Sequence, residues 1–236
     1  MMEKGRLFIV STPIGNLEDI TLRALRILKE SDLIAAEDTR HTRGLLSRYE
    51  IHTPLTSLHI YNERQKIAGL LEQVLQGKDI AVVSDAGTPG ISDPGFLIVR
   101  EARKAGVEVV VIPGVSAVIF AAVASGLELD EFAFYGFPPV KSGRRGKFFE
   151  RLALEDKTVF FYESPYRIKS ALDYIVKYCG ESRRVAIIRE ATKLHEEALT
   201  GNAGELQRDL SERVWKGEFV IGVGRADGRK IEEVEE

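Results

Sequence analysis

The residues that could do chemistry are concentrated in three short loops, each of which follows a run of apolar residues. The longest, Ser84–Gly95 (SDAGTPGISDPG), holds three glycines, two prolines and two aspartates, so it is rigid in places and lets a ligand approach the backbone in others. The others are Ser11–Asn16 (STPIGN) and Pro113–Ala117 (PGVSA). Any one of them could be a plain turn. Because ligands of open α/β sheets bind at the carboxyl ends of the strands, three such loops on one sheet predict one site.

Two polar groups in these loops suit contacts to a small molecule. Asp85 could bind a sugar hydroxyl or a cationic centre, although an aspartate in a turn can also cap a helix. The N–H groups that begin the helix after Pro113, together with Ser116, could hold a polar ligand group. No glycine-lysine pair is followed by serine or threonine, so Ser84–Gly95 is not a phosphate-binding P-loop.

A charged segment, Glu37–Arg43 (EDTRHTR), follows the second apolar run. Its arginines could contact phosphates, and its acids and histidine could accept a proton. An ion-pair cluster at the start of a helix is the alternative. The four histidines of the chain lack the spacing of metal ligands, so no metal site is expected. The candidates for a general base are Glu37, Asp38 and His41.

Two segments of the second half could contact a nucleic acid. Lys141–Lys147 (KSGRRGK) carries four cations and two glycines, and we expect a loop that wraps a phosphate backbone, with a solvated charged loop as the alternative. Phe161–Arg167 (FYESPYR) ends an apolar run with aromatic and charged residues. Such a segment suits one wall of a cleft or the stacking of bases.

The elements that must position these loops alternate in the first half of the chain. The segment after Asp19, which we expect to be its N-cap, and the segment Ile67–Leu75, which Gly77 could end, have the periodicity of helices. Continuous apolar runs indicate strands buried on both faces, as in a parallel sheet. These runs are Leu7–Val10, Leu33–Ala36, Ile80–Val83 and Val109–Ile112.

The alternation of predicted strands and helices changes after Gly126. Strands there follow each other with fewer helices between them, which favours a mixed sheet. Gly222–Asp227 (GVGRAD) begins like a dinucleotide fingerprint, but no hydrophobic helix follows, so it ends the last strand. The predicted strands are Phe132–Phe137, Thr158–Tyr162, Val185–Ile188, Glu196–Thr200 and Phe219–Val223, and the predicted helices are Ile168–Tyr178 and Glu205–Val214. We therefore predict two α/β domains, 1–116 with a mostly parallel sheet and 117–236 with a mixed sheet, and a ligand cleft between them.

Composition sets the class of protein. The 236 residues are 44% hydrophobic and 29% charged, which excludes a disordered or fibrous chain. The single cysteine, Cys179, excludes a disulfide scaffold. The chain has no apolar run of about 18 residues and no signal-peptide pattern at its start, so we expect a cytoplasmic protein. The net charge of −3 neither indicates nor excludes a nucleic-acid partner.

Six motifs, in order and spacing, resemble the ribosomal RNA methyltransferase branch of the tetrapyrrole methylase, or class III, superfamily of S-adenosylmethionine-dependent methyltransferases. The resemblance spans almost the whole chain, and the long loop is the most specific of its motifs. Tyr61 and Tyr166 stand where histidine is common in that family, which bears on RNA contacts. The motifs are Phe8–Asn16, Ala36–Thr42, Ser84–Gly95, Pro113–Ala117, Phe161–Arg167 and Arg189–Leu194 (REATKL).

This resemblance implies a homodimer with S-adenosylmethionine in the cleft between two domains. It also implies 2′-O-methylation of a cytidine ribose in the decoding region of small-subunit ribosomal RNA, either free or in the assembled subunit. The implied cofactor-binding residues are Pro13, Ile14, Asp85, Ala86, Gly87, Thr88, Ser116, Ala117, Tyr162 and Ala191. The predicted RNA contacts are Arg40, Arg43, Arg144, Arg145 and Lys147.

The expected chemistry needs no metal, because the methyl group on a sulfonium is already a good electrophile. The protein must align the acceptor oxygen with that methyl group and help to remove the hydroxyl proton. Two other functions remain open from the sequence. One is a tetrapyrrole C-methyltransferase of the precorrin type, and the other is a non-catalytic sensor that binds an adenosine nucleotide.

Overall fold

Five parallel strands form the sheet of the first of two compact units, Met1–Ser116. The computed structural model of the chain describes residues 4–226. Across the sheet the strand order is β3-β2-β4-β1-β5. The strands are Arg6–Val10 (β1), Leu33–Ala36 (β2), Leu55–Ser57 (β3), Ile80–Val83 (β4) and Glu108–Ile112 (β5).

Helices cover both faces of this sheet. Because successive side chains of a strand point to opposite faces, β1 sends Leu7 and Ile9 into one core and Phe8 and Val10 into the other. The first core is shared with α3 and α4, and the second with α1 and α2. The helices are α1 (Leu22–Glu30), α2 (Thr39–Arg48), α3 (Glu63–Leu75) and α4 (Phe96–Lys104), and a 3-10 helix spans Leu17–Asp19.

The predicted parallel sheet is confirmed, since the four continuous apolar runs form β1, β2, β4 and β5. The edge strand β3 was not predicted, because three half-buried residues carry no periodic signal. The expected cap at Asp19 is wrong. Asp19 closes the 3-10 helix, and the Thr21 hydroxyl caps α1 by accepting the N–H of Ala24 at 3.0 Å. Gly77, with φ of 100°, follows the end of α3 as expected.

The second unit, Ala117–Glu236, contains the mixed sheet that the sequence predicts, in the order β6-β7-β10-β8-β9. Strands β6 and β7 are parallel, and the other neighbours are antiparallel. The first strand is shorter than predicted, because the chain turns at Gly136, whose φ is 61°. The strands are Phe132–Phe134 (β6), Thr158–Glu163 (β7), Arg184–Arg189 (β8), Glu197–Asn202 (β9) and Phe219–Val223 (β10).

The helices of the second unit pack on both faces of its sheet. Helices α6, α7 and α8 share one core with Phe161 and Ile221, whereas α5 packs with Phe160, Ile188 and Val220 on the other face. The helices are α5 (Ala117–Ala124), α6 (Ser142–Ala153), α7 (Ile168–Cys179) and α8 (Ala203–Asp209), and a second 3-10 helix spans Pro165–Arg167. Within residues 4–226, no helix has the length and apolar character needed to cross a membrane.

Two expectations for the second half are corrected. Lys141–Lys147 is not a loop, because Ser142 begins α6. The helix continues with three apolar side chains that are buried in the core, those of Phe148, Phe149 and Leu152. Because these side chains anchor the helix, the basic residues before them form its first turns. The last helix is shorter than predicted and ends at Asp209. The start of the fingerprint-like segment ends β10, as predicted, whereas Asp227 lies outside the described residues.

The central position of β10 leaves no room for a side chain at Gly222. A Cβ there would lie 2.6 Å from Cε1 of the fully buried Phe160. We expect Gly222→Ala to lower the free energy of unfolding by about 1–3 kcal/mol, measured by urea denaturation. The control is Gly69→Ala on α3, where an added Cβ meets nothing within 4 Å. It should gain roughly 0.5–1 kcal/mol from helix propensity. A Gly222→Ala variant as stable as the wild type would contradict this packing.

Candidate active site

Backbone pairing joins the first two loops at the carboxyl edge of the parallel sheet. Thr12 and Gly87 form an antiparallel bridge, in which the N–H of Thr12 donates to the Gly87 carbonyl at 2.9 Å and the N–H of Gly87 donates back at 3.0 Å. The hydroxyls of Ser11 and Thr88 are hydrogen-bonded at 2.7 Å. The Thr12 hydroxyl also donates to the Ser84 carbonyl at 3.1 Å. The loops that follow β1 and β4 therefore form one surface.

The third loop lies against the first. The N–H of Ser11 donates to the Ile112 carbonyl at 3.2 Å, which extends the pairing of β1 with β5. A Cβ at Gly114 would lie 2.7 Å from the Cβ of Ser11, so only glycine allows this close approach. The convergence of the three loops that the sequence predicts is therefore present in the first unit, where Ser116 is partly exposed at the end of the third loop.

The long loop Ser84–Gly95 is fixed by its own backbone and by a buried carboxylate. The N–H of Gly90 donates to the Pro94 carbonyl at 2.9 Å, which folds the loop back on itself. The side chain of Glu63, 4% exposed, accepts the N–H of Gly95 at 3.1 Å. Ser92 has a φ of 65°, a strained conformation for a residue with a side chain. Such strain costs of order 1–3 kcal/mol and is typical of functional loops.

Three carboxylates meet beside this loop: those of Glu37, Asp85 and Asp93. The N–H of Asp85 donates to Oε2 of Glu37 at 3.4 Å, and Oδ1 of Asp85 accepts the N–H of Asp38 at 3.0 Å. Burial raises the pKa of Glu37, and the charge of Asp85 raises it further. Burial, followed by the charges of Glu37 and Asp85, raises the pKa of Asp93 to about 6. Glu37 and Asp93 therefore hold protons more tightly than ordinary carboxylates do.

Only one of the three predicted base candidates belongs to this cluster. The carboxylate of Asp38 accepts the N–H of Arg40 at 2.8 Å and pairs with its guanidinium at 3.1 Å. These contacts lower the pKa of Asp38 to about 2, so its carboxylate is a weak base. The same side chain is the N-cap of α2. His41 is exposed in the first turn of α2. Glu37 is the candidate with a raised pKa.

Two residues of this region were not among the predicted site residues. Asp93 has the sequence signature of a turn aspartate before proline, and only the folding of the loop brings it to Glu37. His59 follows the unpredicted strand β3 and lies near enough to Glu37 for its charge to lower the pKa of that carboxyl group. Its Nε2 is 3.0 Å from Nδ2 of Asn62. Neither residue has a sequence spacing that would have indicated its place.

The predicted cofactor-binding residues divide between the two units. In the first unit, Pro13 and Ile14 are buried, and the Ala86 carbonyl accepts the Ser84 hydroxyl at 3.2 Å. In the second unit, Ala117, Tyr162 and Ala191 pack against the same hydrophobic cluster. The structure thus brings the second-unit residues together around one face of its sheet.

The segment around Ala191 is strained in the way that functional loops often are. Glu190 and Thr192, on either side of Ala191, have φ of 51° and 65°. The Glu190 carboxylate accepts the backbone N–H of Glu218 at 2.9 Å and the ammonium of Lys193 at 3.0 Å. These bonds hold the loop in a conformation that its residue types do not favour by themselves.

The predicted RNA contacts also divide into two groups. Arg40 and Arg43 are exposed and three residues apart on α2, and Arg144 and Lys147 are exposed and three residues apart on α6. Each pair therefore shares one side of its helix. Arg145 is different.

Arg145 is buried, which corrects the expectation that it lies at the surface. Its side chain is 3% exposed and donates through Nη2 to Oε2 of Glu163 at 2.6 Å. The sequence does not indicate this burial, because Arg145 lies between the exposed residues Arg144 and Lys147. Consecutive residues of a helix point in directions about 100° apart, so Arg145 can be buried while its neighbours are exposed. Arg145 therefore leaves the set of candidate RNA contacts.

The donor set of the first unit suits an organic cation better than a metal or a phosphate. Among residues 4–226, no group of three or more His, Cys, Asp and Glu side chains could hold a metal ion. The clustered charges of Glu37, Asp85 and Asp93 favour a positively charged ligand. Gly87 and Gly114 allow a ligand to approach the backbone closely. These features fit S-adenosylmethionine, which carries a sulfonium and an ammonium group.

Comparison with solved structures gives the fold family. The uroporphyrin-III C-methyltransferase from Thermus thermophilus complexed with S-adenyl homocysteine has a TM-score of 0.65 and 19% identity, covering 93% of this chain and 97% of that one. The methyltransferase CobJ has a TM-score of 0.70 and 20% identity, covering 96% and 97%. At this identity, the likeness establishes the fold alone.

Comparison of sequences gives the family itself. The family model described as Tetrapyrrole (Corrin/Porphyrin) Methylases matches residues 6–207. A protein of Pasteurella multocida (strain Pm70) named ribosomal RNA small subunit methyltransferase I is 48% identical over 98% of this chain and 82% of its own length. The protein of that name from Escherichia coli O157:H7 is 47% identical over 98% and 80%. The resemblance of the motifs is thus confirmed, and the chain belongs to the tetrapyrrole methylase family, among the relatives named ribosomal RNA small subunit methyltransferase I.

Proposed function

We propose that this chain is an S-adenosylmethionine-dependent methyltransferase that methylates the 2′-hydroxyl of a cytidine ribose in small-subunit ribosomal RNA. The names of relatives at 43–52% identity support the reaction class and the RNA. The structural observation that carries the proposal is the partly buried cluster of the Glu37, Asp85 and Asp93 carboxylates at the glycine-rich loops. It offers both a negatively charged place for the cofactor and a base for a weakly acidic hydroxyl.

The cofactor is held by the three loops of the first unit. Asp85 attracts the positive charge or binds a ribose hydroxyl, and the backbone from Ala86 to Thr88 contacts the adenosine part. Pro13, Ile14 and Ser116 line the same loops. When bound, S-adenosylmethionine supplies a methyl group on a positively charged sulfur. The task of the protein is then to position the acceptor and manage one proton.

Glu37 is the general base of this proposal. A ribose hydroxyl is a weak acid, so a carboxylate that receives its proton during attack increases the rate. Glu37 has a raised pKa, whereas the pKa of Asp38 is lowered to about 2 by Arg40. A base with a higher pKa accepts a proton more readily. The charge of Asp85 next to Glu37 raises the pKa of Glu37 and thereby strengthens it as a base.

Tetrapyrrole C-methylation is the less favoured function for this chain. The porphyrin and corrin methyltransferases among the solved structures share 20% identity or less with this chain, far below the identity of the RNA methyltransferases. A non-catalytic adenosine-nucleotide sensor would need neither a base nor exposed basic helices. Methyl transfer to any acceptor excludes that sensor.

The proposal includes three further expectations about partners. The acceptor is the assembled small subunit or its free RNA, the protein acts as a homodimer, and it works in the cytoplasm, where that RNA resides. Exposed cations on α2 and α6 support the contact with RNA, since phosphate groups dominate such affinity.

The role of Glu37 is tested by replacing each base candidate in turn. Glu37→Gln keeps the size of the side chain but cannot accept the proton, so we expect kcat to fall by about 10²- to 10⁴-fold. Single-turnover transfer of a tritiated methyl group to small subunits is the assay, with cofactor affinity measured by calorimetry. Asp38→Asn preserves the cap of α2 and should stay within about threefold of wild type. Wild-type turnover in Glu37→Gln would rule out Glu37 as the base.

The pH dependence of kcat/KM tests the coupling between Asp93 and Glu37. The first proton that the cluster binds, at about pH 6, weakens the base, so activity should fall below that pH. Asp93→Asn removes the group whose pKa is about 6, so the acidic limb of the profile should move to lower pH. Asp79→Asn, at the opposite end of β4, should leave the profile unchanged. An Asp93→Asn profile that superimposes on the wild type would contradict the coupling.

Salt dependence tests the role of the basic helices. Four phosphate contacts predict that log affinity for small-subunit RNA falls with log salt with a slope of about −3, measured by filter binding. Replacing Arg144 and Lys147 together with glutamine should reduce that slope by about 1.5. Lys29→Gln, at the end of α1, should not change it. A salt-independent affinity would count against these contacts.

A further inference from the structure

A buried ion network lies under the turn that follows β7. The carboxylate of Glu163 is fully buried, and three groups donate to it. Nη2 of Arg145 lies 2.6 Å from Oε2, Nε of Arg167 lies 2.8 Å from Oε1, and the N–H of Ser164 lies 2.7 Å from Oε1. Taking these charges out of water is costly, so the network is weak evidence for stability and a better sign of a specific geometry.

The network fixes the turn Ser164–Arg167. Oε1 of Glu163 accepts hydrogen bonds from both ends of the turn, and the N–H of Arg167 donates to the Ser164 carbonyl at 2.9 Å. Arg145 reaches Glu163 from α6 and lies over the rings of Phe149 and Tyr174, at 5.3 and 5.7 Å from their centroids. Strand β7 and helices α6 and α7 thus hold four residues of turn in one conformation.

The turn presents one aromatic ring and one cation to solvent. Tyr166 is 94% exposed, so its ring contributes almost nothing to the stability of the fold. The Arg167 side chain is 30% exposed and uses its Nε on Glu163, while no partner within residues 4–226 takes up its two terminal nitrogens. Two guanidinium groups share one carboxylate in this network, which leaves one positive charge uncompensated among these three groups.

We infer that the turn Ser164–Arg167 is a binding subsite for one unpaired nucleotide of the RNA substrate. This inference rests on the proposed function. The ring of Tyr166 stacks on the base, and the terminal nitrogens of Arg167 bind an adjacent phosphate oxygen. Glu163 and Arg145 are positioning residues, because they act through the turn. A planar ring next to a cation on a rigid turn matches the two chemical parts of a nucleotide, a flat base and an anionic phosphate.

The test compares exposed variants that should not affect folding. Tyr166→Ala should raise the KM for small subunits about 5- to 100-fold, as expected for loss of one stacked base, and leave the cofactor Kd unchanged. Tyr166→Phe should restore the KM to within about twofold of wild type, because stacking uses the ring and not the hydroxyl. Leu154→Ala, exposed after α6 in the same unit, is the matched control and should behave as wild type.

The other residues of the subsite have their own readouts. Arg167→Gln should raise the KM and reduce the salt slope of RNA affinity by roughly 0.7–0.9, the value for one phosphate contact. Glu163→Gln keeps the shape and removes the charge that holds the turn. If Glu163 acts through the turn, the losses of Glu163→Gln and Tyr166→Ala should be less than additive in the double variant. A merely structural role would give additive losses.

The outcomes separate this inference from the proposed function. If the wild type transfers methyl groups to RNA but Tyr166→Ala has the KM of Leu154→Ala, the subsite is wrong and the function stands. If Tyr166→Phe loses as much affinity as Tyr166→Ala, stacking is wrong. If Tyr166→Ala changes only the sedimentation of the protein, the ring belongs to a protein contact and the inference fails. A wild type that methylates no RNA contradicts the proposed function itself.

Discussion

The pairing of Thr12 with Gly87 is the contact on which the candidate site depends. Their two backbone hydrogen bonds, of 2.9 and 3.0 Å, join the loops that leave the neighbouring strands β1 and β4. Gly87 can take part because its φ of 73° is accessible to glycine without strain. Once this pairing is formed, Asp85, two residues earlier, is fixed next to Glu37 and the start of α2. A local backbone constraint thus sets the geometry of the charged groups.

Repulsion among partly buried carboxylates is the second interaction that shapes the site. Glu37 and Asp93 both have raised pKa values because they are partly removed from water and lie near negative charge. A cationic ligand that binds near them would relieve this repulsion and lower their pKa values. By linkage, ionised carboxylates would in turn bind that cation more tightly. Cofactor binding and preparation of the base are therefore parts of one electrostatic arrangement under the proposed function.

The sequence predicted the elements whose signals are local and continuous. The apolar runs Leu7–Val10 and Ile80–Val83 became central strands because burial on both faces requires apolar residues at every position. The short edge strand Leu55–Ser57 had no such requirement and was not predicted. The convergence of three loops could be predicted because parallel strands end at one edge of a sheet.

The details that were missed depend on contacts between distant segments. Arg145 was expected at the surface because four cations lie within seven residues, but its direction from α6 places it on Glu163. The sequence does not indicate Asp93 as a ligand or base, because its neighbours in sequence are typical only of a turn. Its proximity to Glu37 results from the fold of the long loop, which no spacing within the sequence encodes.

Methylation of ribosomal RNA by this chain can be measured with tritiated S-adenosylmethionine and small ribosomal subunits from cells that lack this activity. After transfer, the RNA is hydrolysed with alkali and the labelled fragments are mapped. We expect label at one alkali-resistant linkage, because a 2′-O-methyl group blocks cleavage at that ribose. Label in alkali-labile nucleotides, or no label in RNA despite cofactor binding, would contradict it.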